Sequence, residues 1–151
     1  MSAIVSTFRR DANNVPIWTT GIQNSKAITF DGGTGTGATG TVTLFSVTGV
    51  VEVNVFGFCT ADLVSAGGGT LKVGTATSTA TLCSQQNATA ITNHEVWHNS
   101  SLAVGANVAA HLHPVNENVI LTIATGAVTA GTLTFYVNWV PVSSDGNLTV
   151  A

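Results

Sequence analysis

The sequence predicts an all-β protein, an antiparallel β-sandwich or jelly roll of about seven to eight strands with an extended N-terminal arm. Apolar and polar residues alternate along several segments, which is the period of a half-buried strand. Thr, Val and Gly are abundant, whereas Leu, Lys, Glu and Arg, which favour helices, are scarce. Glycine-rich turn signals separate the alternating segments at short intervals.

The first half of the chain contains three predicted strands. They are AITF at 27–30, TVTLFSVT at 41–48 and VVEVNVFGFC at 50–59. The second segment changes phase between Leu44 and Phe45, which predicts a β-bulge. In the third segment Phe56 and Phe58 lie opposite the alternating apolar face, so we expect this end of the strand to be covered on both sides.

The rest of the chain contains four predicted strands. They are TLKVGT at 70–75, ATLCSQ at 80–85, NVILTIATG at 118–126 and GTLTFYVNWV at 131–140. The alternation predicts a common core from the inward positions of the longer strands. The predicted core residues are Val51, Val53, Val55, Leu121, Ile123, Leu133, Phe135 and Trp139.

The two ends of the chain differ from its body. We expect residues 1–25 to form an N-terminal arm, residues 26–142 the β-sandwich domain and residues 143–151 a polar C-terminal tail. The arm contains the sequence VPIW at 15–18, whose apolar side chains a solvated tail would not need. We therefore interpret the arm as an extension onto a neighbouring subunit.

Charge is sparse in this sequence. Only 11 of the 151 residues are Asp, Glu, Lys or Arg, where an ordinary domain carries about a quarter, and the net charge is −3. A chain with so few basic residues has no electrostatic footprint for nucleic acid. Its apolar runs fall short of the roughly 18 residues that a membrane-spanning helix needs, and its first residues do not have the pattern of a secretory signal.

The sequence HEVWH at 94–98 matches the zinc-protease pattern H-E-x-x-H. That chemistry needs a helix, which places both histidines on one face with Glu beside the bound water. Here Asn99-Ser100-Ser101 would end a helix after about one and a half turns. In a strand, His94 and His98 would share a face and Glu95 would point away. We therefore predict no catalytic zinc at this motif.

A second pattern, G-x5-H-x-H-x3-E, runs from Gly105 to Glu117. It resembles the first motif of the cupins, a family of jelly-roll metal proteins. The resemblance implies a metal held by His111, His113 and Glu117, so a cupin-like metalloprotein is one alternative. However, the second cupin motif has no counterpart in residues 130–146, and Pro114 would disturb a central strand. We expect no metal, no cofactor and no enzymatic activity.

Two further features have simpler interpretations. Gly35 to Gly40 contains G-x-G-x-x-G, but a strand and not a helix follows, so we interpret it as a connection between strands. Cys59 and Cys83 lie in apolar stretches, where buried free thiols are the ordinary expectation, although the sequence also permits a disulfide between them.

The whole chain resembles small β-rich virion proteins of tailed bacteriophages. The resemblance rests on RRDANNVPI at 9–17, on GATGTVTLFSVTGVVEVNVFGFC at 37–59 and on the sequence from Glu117 to Asn147. It implies a structural protein of the virion, a capsid decoration or cement protein that docks on the phage head and stabilises it. It also implies assembly in the host bacterial cytoplasm and a final location on the capsid surface.

The resemblance suggests the major capsid protein as partner and a homotrimer as the oligomer, with no nucleic acid and no membrane involved. The expected contact residues are Arg9, Arg10, Val15, Ile17 and Trp18, because apolar anchors and two arginines suit an acidic shell. One alternative is a head-fibre or tail-fibre adhesin that binds host glycan through exposed aromatics, with Trp18 and Trp97 as candidates.

Overall fold

Residues 22–99 and 113–151 are described by the computed structural model, and the chain forms ten β-strands within these ranges. The strands are β1 (Ile22–Thr29), β2 (Gly40–Thr48), β3 (Val51–Val64), β4 (Thr70–Gly74), β5 (Cys83–Asn87), β6 (Val96–Trp97), β7 (His113–Val115), β8 (Val119–Ala124), β9 (Ala130–Pro141) and β10 (Asn147–Val150). A short 3-10 turn follows β5 at Ala88–Ala90. None of the helical structure in these ranges is long and apolar enough to cross a membrane.

The strands form two antiparallel sheets of five strands each. Sheet I has the order β1-β9-β3-β6, with β7 also paired to β3, and sheet II has the order β10-β2-β8-β4-β5. The pairs β1–β9, β2–β8, β3–β6/β7 and β4–β5 are nested like the two arms of one long hairpin. The further pairs β3–β9 and β4–β8 fold this hairpin into two Greek keys, which is the jelly-roll arrangement. The prediction of an antiparallel sandwich or jelly roll is confirmed.

Strands β6 and β7 follow the same edge of β3. Trp97 in β6 pairs with Gly57, and His113 in β7 pairs with Val53, both in the antiparallel direction. Together they occupy the position of a single jelly-roll strand that is interrupted opposite β3 residues 54–56.

The core lies between the two sheets and contains every residue that the alternation predicts for it. Phe135, Leu133, Leu121, Val51 and Val53 are fully buried, and Val55, Ile123 and Trp139 are at most 5% exposed. Leu44 and Phe45 are both fully buried although they are adjacent in sequence. The register of β2 against β8 shifts between Thr43 and Phe45, so the predicted bulge is confirmed and turns both side chains inward.

The side of the sandwich formed by β1 and β10 is closed by a lysine. Lys26 lies on the inward face of β1, and its Nζ donates to the main-chain oxygens of Thr43 and Ala151, each at 2.8 Å. An inward charge on an edge strand opposes further strand pairing there. Since β1 begins at Ile22, residues 22–25 belong to the sandwich and not to the expected arm.

The C-terminal residues differ from the expected polar tail. Asn147–Val150 forms β10, which pairs with β2 at the edge of sheet II. Leu148 is 2% exposed and contributes to the core. Pairing with β2 supplies the backbone hydrogen bonds of this strand, and Leu148 supplies its contact with the core.

Two carboxylates fix connections between strands. Asp31 accepts from Gly33 N at 2.8 Å and from Thr36 Oγ1, within the β1–β2 connection. Glu117 accepts from the backbone N and the hydroxyl of Thr77, which joins the β7–β8 turn to the β4–β5 connection. In each case the side-chain hydrogen bond is the largest cause that lowers the carboxyl pKa, followed by the backbone hydrogen bonds.

We expect acid to destabilise the fold through these two groups. Their folded-state pKa values are lowered, so their contribution is complete above the ordinary carboxyl values of about 4 and is lost as the pH falls through the lowered ones. The urea concentration at the midpoint of unfolding should therefore decrease when the pH is lowered below about 4. The double variant Asp31→Asn/Glu117→Gln should show a weaker decrease over the same pH range. An identical pH profile in the double variant would contradict the assignment.

Candidate functional site

The predicted contact residues of the arm lie outside the described residues. These are Arg9, Arg10, Val15, Ile17 and Trp18. His111, the first histidine of the cupin-like pattern, lies outside them as well. The contact assignment therefore stays a prediction.

The HEVWH segment does not form a helix. His94 is in a turn with a positive φ of 68°, and β6 begins at Val96. Oε2 of Glu95 accepts from Thr92 N at 2.8 Å, and Nδ1 of His98 contacts the carbonyl oxygen of Asn99 at 3.0 Å. Two histidines thus flank a short strand instead of sharing one helix face, so the protease geometry is not formed here.

The cupin-like pattern is divided between a strand and a turn. His113 is half-buried in β7 and faces the same side of sheet I as its partner Val53. Glu117 lies in the following turn, where both of its carboxylate oxygens accept from Thr77. Within residues 22–99 and 113–151, no three His, Cys, Asp or Glu side chains form a group that could hold a metal ion.

Both cysteines are buried free thiols, which confirms the first of the two interpretations that the sequence allowed. Cys59 is on β3 of sheet I and Cys83 is on β5 of sheet II, and each contacts main-chain carbonyl oxygens in the interior. Burial raises the pKa of Cys59 above its ordinary value and that of Cys83 to about 12. Such thiols act as small apolar core residues and not as nucleophiles.

The outer face of sheet I carries three half-buried aromatic side chains. Phe56 and Phe58 alternate outward along β3, and Tyr136 is the cross-strand partner of Phe56 on β9. The rings of Phe56 and Tyr136 stack with centroids 5.2 Å apart and an interplanar angle of 16°. The outward residues Asn54, Phe56, Phe58, Thr134, Tyr136 and Asn138 are called the aromatic face below.

The aromatic face is almost without charge. The other outward residues of β1, of β3 up to Phe58 and of β9 from Thr132 onward are Gln23, Ser25, Ala27, Thr29, Glu52, Thr132 and Val140. Glu52 is the one carboxylate in this set, and Asp62 is exposed farther along β3. Aromatic residues with few charges are typical of the buried centre of a protein–protein interface.

A cleft opens where the edge strands of the two sheets meet. It has a volume of about 320 Å³ and lies between β5 of sheet II and β6 of sheet I. Ile91 and Trp97 form its apolar part and are 2% and 7% exposed. The complete lining is Ser84, Gln86, Ala90, Ile91, Glu95, Val96, Trp97 and His98, and it is called the edge cleft below.

The sequence predicts these two features only in part. It places Phe56 and Phe58 on the outer face, but their contact with Tyr136 depends on the register between β3 and β9. Trp97, a candidate for an exposed aromatic, is instead buried and packs edge-on against Phe135 with centroids 6.2 Å apart. The alternation around Tyr136 was the available signal for the aromatic face.

These features define a class of protein, a jelly-roll β-sandwich with an uncharged aromatic face and a cleft between its sheet edges. Comparison of the chain with protein-family models, with curated proteins and with solved structures found no match.

Proposed function

We propose that this protein is a structural component of a bacteriophage virion, a decoration protein that docks on the capsid surface and stabilises the shell. The observation that carries the proposal is the aromatic face. It presents three half-buried aromatic side chains among uncharged neighbours on the outer side of sheet I. Such a surface gains free energy when another protein covers it.

Two properties of the whole chain support this proposal. The jelly roll is an architecture of viral capsid and lectin domains, although a fold alone does not determine function. Only 11 of 151 residues are charged, so docking against a neighbour requires the desolvation of few ions. A partner that binds the folded form alone also stabilises it by mass action.

In this proposal the partner is the major capsid protein and the arm assists the aromatic face. Val15, Ile17 and Trp18 bury apolar surface, while Arg9 and Arg10 pair with carboxylates of the shell. A homotrimer would multiply these contacts, because subunits joined in one oligomer bind with a raised effective concentration. Assembly takes place in the host cytoplasm, and the mature location is the outer surface of the head.

We expect a double variant of the aromatic face to lose capsid binding. Phe56→Ala/Tyr136→Ala removes both stacked rings, so its affinity for undecorated capsids should fall at least about tenfold in a co-sedimentation assay. The matched control is Thr43→Ala/Ile120→Ala, which alters a cross-strand pair on the outer face of sheet II and should bind as the wild type does.

Two outcomes would overturn the proposal. Equal capsid binding by the wild type and the aromatic-face variant would exclude this face as the docking surface. If the wild-type protein does not bind capsids and is found in the fibres of the virion instead, the decoration function is wrong.

A further inference from the structure

We propose that the edge cleft binds a neutral saccharide unit. This binding site lies beside the aromatic face, where Val96 pairs with Phe58, and it goes beyond the docking function proposed above. Its two walls come from different sheets, because β5 is an edge strand of sheet II and β6 lies at the edge of sheet I. Side chains from both sheets therefore converge on a ligand that neither sheet alone would surround.

The floor of the edge cleft is apolar and rigid. Trp97 is held by strand pairing with Gly57 and by its edge-on contact with Phe135. Ile91 follows the 3-10 turn, and its backbone N donates to the carbonyl of Ala88 at 3.0 Å. Only 7% of Trp97 and 2% of Ile91 are exposed, so the cleft has a narrow apolar floor within a mainly polar lining, which suits a ligand rich in hydroxyl groups.

The rim of the edge cleft supplies mainly hydrogen-bond acceptors. Oε2 of Glu95 is occupied by Thr92 N, which orients the carboxylate and leaves Oε1 to accept from a ligand. A carbonyl can only accept, so in the neutral ring Nδ1 of His98 carries the proton toward Asn99 and Nε2 accepts. Gln86 adds an amide that both donates and accepts.

Three properties of the cleft favour a neutral polyol over other ligands. The carboxylate of Glu95 in the rim opposes an anionic ligand. A single exposed carboxylate attracts a cation only weakly. The volume of about 320 Å³ is near the lower limit of ligand pockets, which suits one or two sugar rings better than a nucleotide cofactor. Sugar hydroxyls donate to the acceptors of the rim and accept from the Gln86 amide.

The test is an NMR titration of the full chain with glucose, galactose, mannose and N-acetylglucosamine. We expect one of these sugars to shift the Trp97 indole N–H and the Gln86 side-chain amide, with a Kd in the millimolar range. Gln86→Ala and Glu95→Ala should each raise this Kd at least about tenfold. The controls Gln23→Ala and Glu52→Ala change the same residue types on the outer face of sheet I and should leave the Kd unchanged.

Two results would overturn this inference. One is the absence of shifts at the edge cleft with all four sugars at about 100 mM. The other is a stronger response of the same residues to ethanolamine, which would make the cleft a site for cations. Because the titration uses the isolated protein, its outcome does not depend on whether the aromatic face binds capsids.

Discussion

Replacement of Gly37 by alanine is expected to lower the free energy of unfolding by more than about 4 kcal/mol, or to prevent folding. Gly37 is buried in the β1–β2 connection, and an added Cβ would lie 2.0 Å from the carbonyl oxygen of Val128. That carbonyl cannot easily retreat, because Val128 N donates to Gly37 O at 2.8 Å and holds the two connections together. The φ of +143° adds backbone strain for any L side chain.

Gly40 provides a matched control for this variant. Its φ of +140° is nearly the same, but no atom lies within 4 Å of the Cβ position. Gly40→Ala should therefore show only the cost of the backbone conformation, about 1–3 kcal/mol. Urea denaturation of both variants measures the difference, which isolates the contact between the β1–β2 and β8–β9 connections. Equal losses would mean that this contact contributes nothing.

The long strands could be predicted because their buried and exposed positions follow the alternation of apolar and polar residues in the sequence. In β9 the residues from Leu133 to Trp139 alternate between core and surface without interruption, and the structure shows the same alternation. The bulge at Leu44 was also readable, since two adjacent buried residues cannot share one face of a regular strand.

Strands β6, β7 and β10 could not be predicted, because they depend on their partners, whereas the short strands β4 and β5 overlap the predicted segments 70–75 and 80–85. Val96–Trp97 is a strand of only two residues, and it exists because β3 offers a free edge to it. Asn147–Val150 has only two apolar residues among four and is fixed by pairing with β2. Lys26 is directed inward against the usual preference of a charged side chain, because main-chain oxygens of Thr43 and Ala151 receive its ammonium group.

The candidate sites were harder to predict than the fold, since each combines residues that are distant in sequence. Phe56 and Tyr136 are 80 residues apart in the sequence, and they stack only because the register between β3 and β9 places them opposite each other. The edge cleft combines Gln86 with the segment from Ile91 to His98, and these meet only when the two sheets pack. Conversely, His113 and Glu117 are close in sequence, but Glu117 is directed to Thr77.

Replacement of a phenylalanine by alanine should affect stability very differently on the two faces of sheet I. Phe135 is fully buried in the core, so Phe135→Ala should lower the free energy of unfolding by about 3–5 kcal/mol through lost burial and a residual cavity. Phe56 is half-buried on the opposite face, and Phe56→Ala should cost under about 1.5 kcal/mol in the isolated protein. Urea denaturation at neutral pH measures both.

This comparison bears directly on the proposed docking function. A small loss for Phe56→Ala would mean that the stacked rings contribute little to the stability of the isolated protein, so their free energy of burial is available to a partner. A loss equal to that of Phe135→Ala would show that the rest of the chain already covers the aromatic face as a second core. The face would then have no surface left for a capsid, and docking would have to occur elsewhere on the molecule.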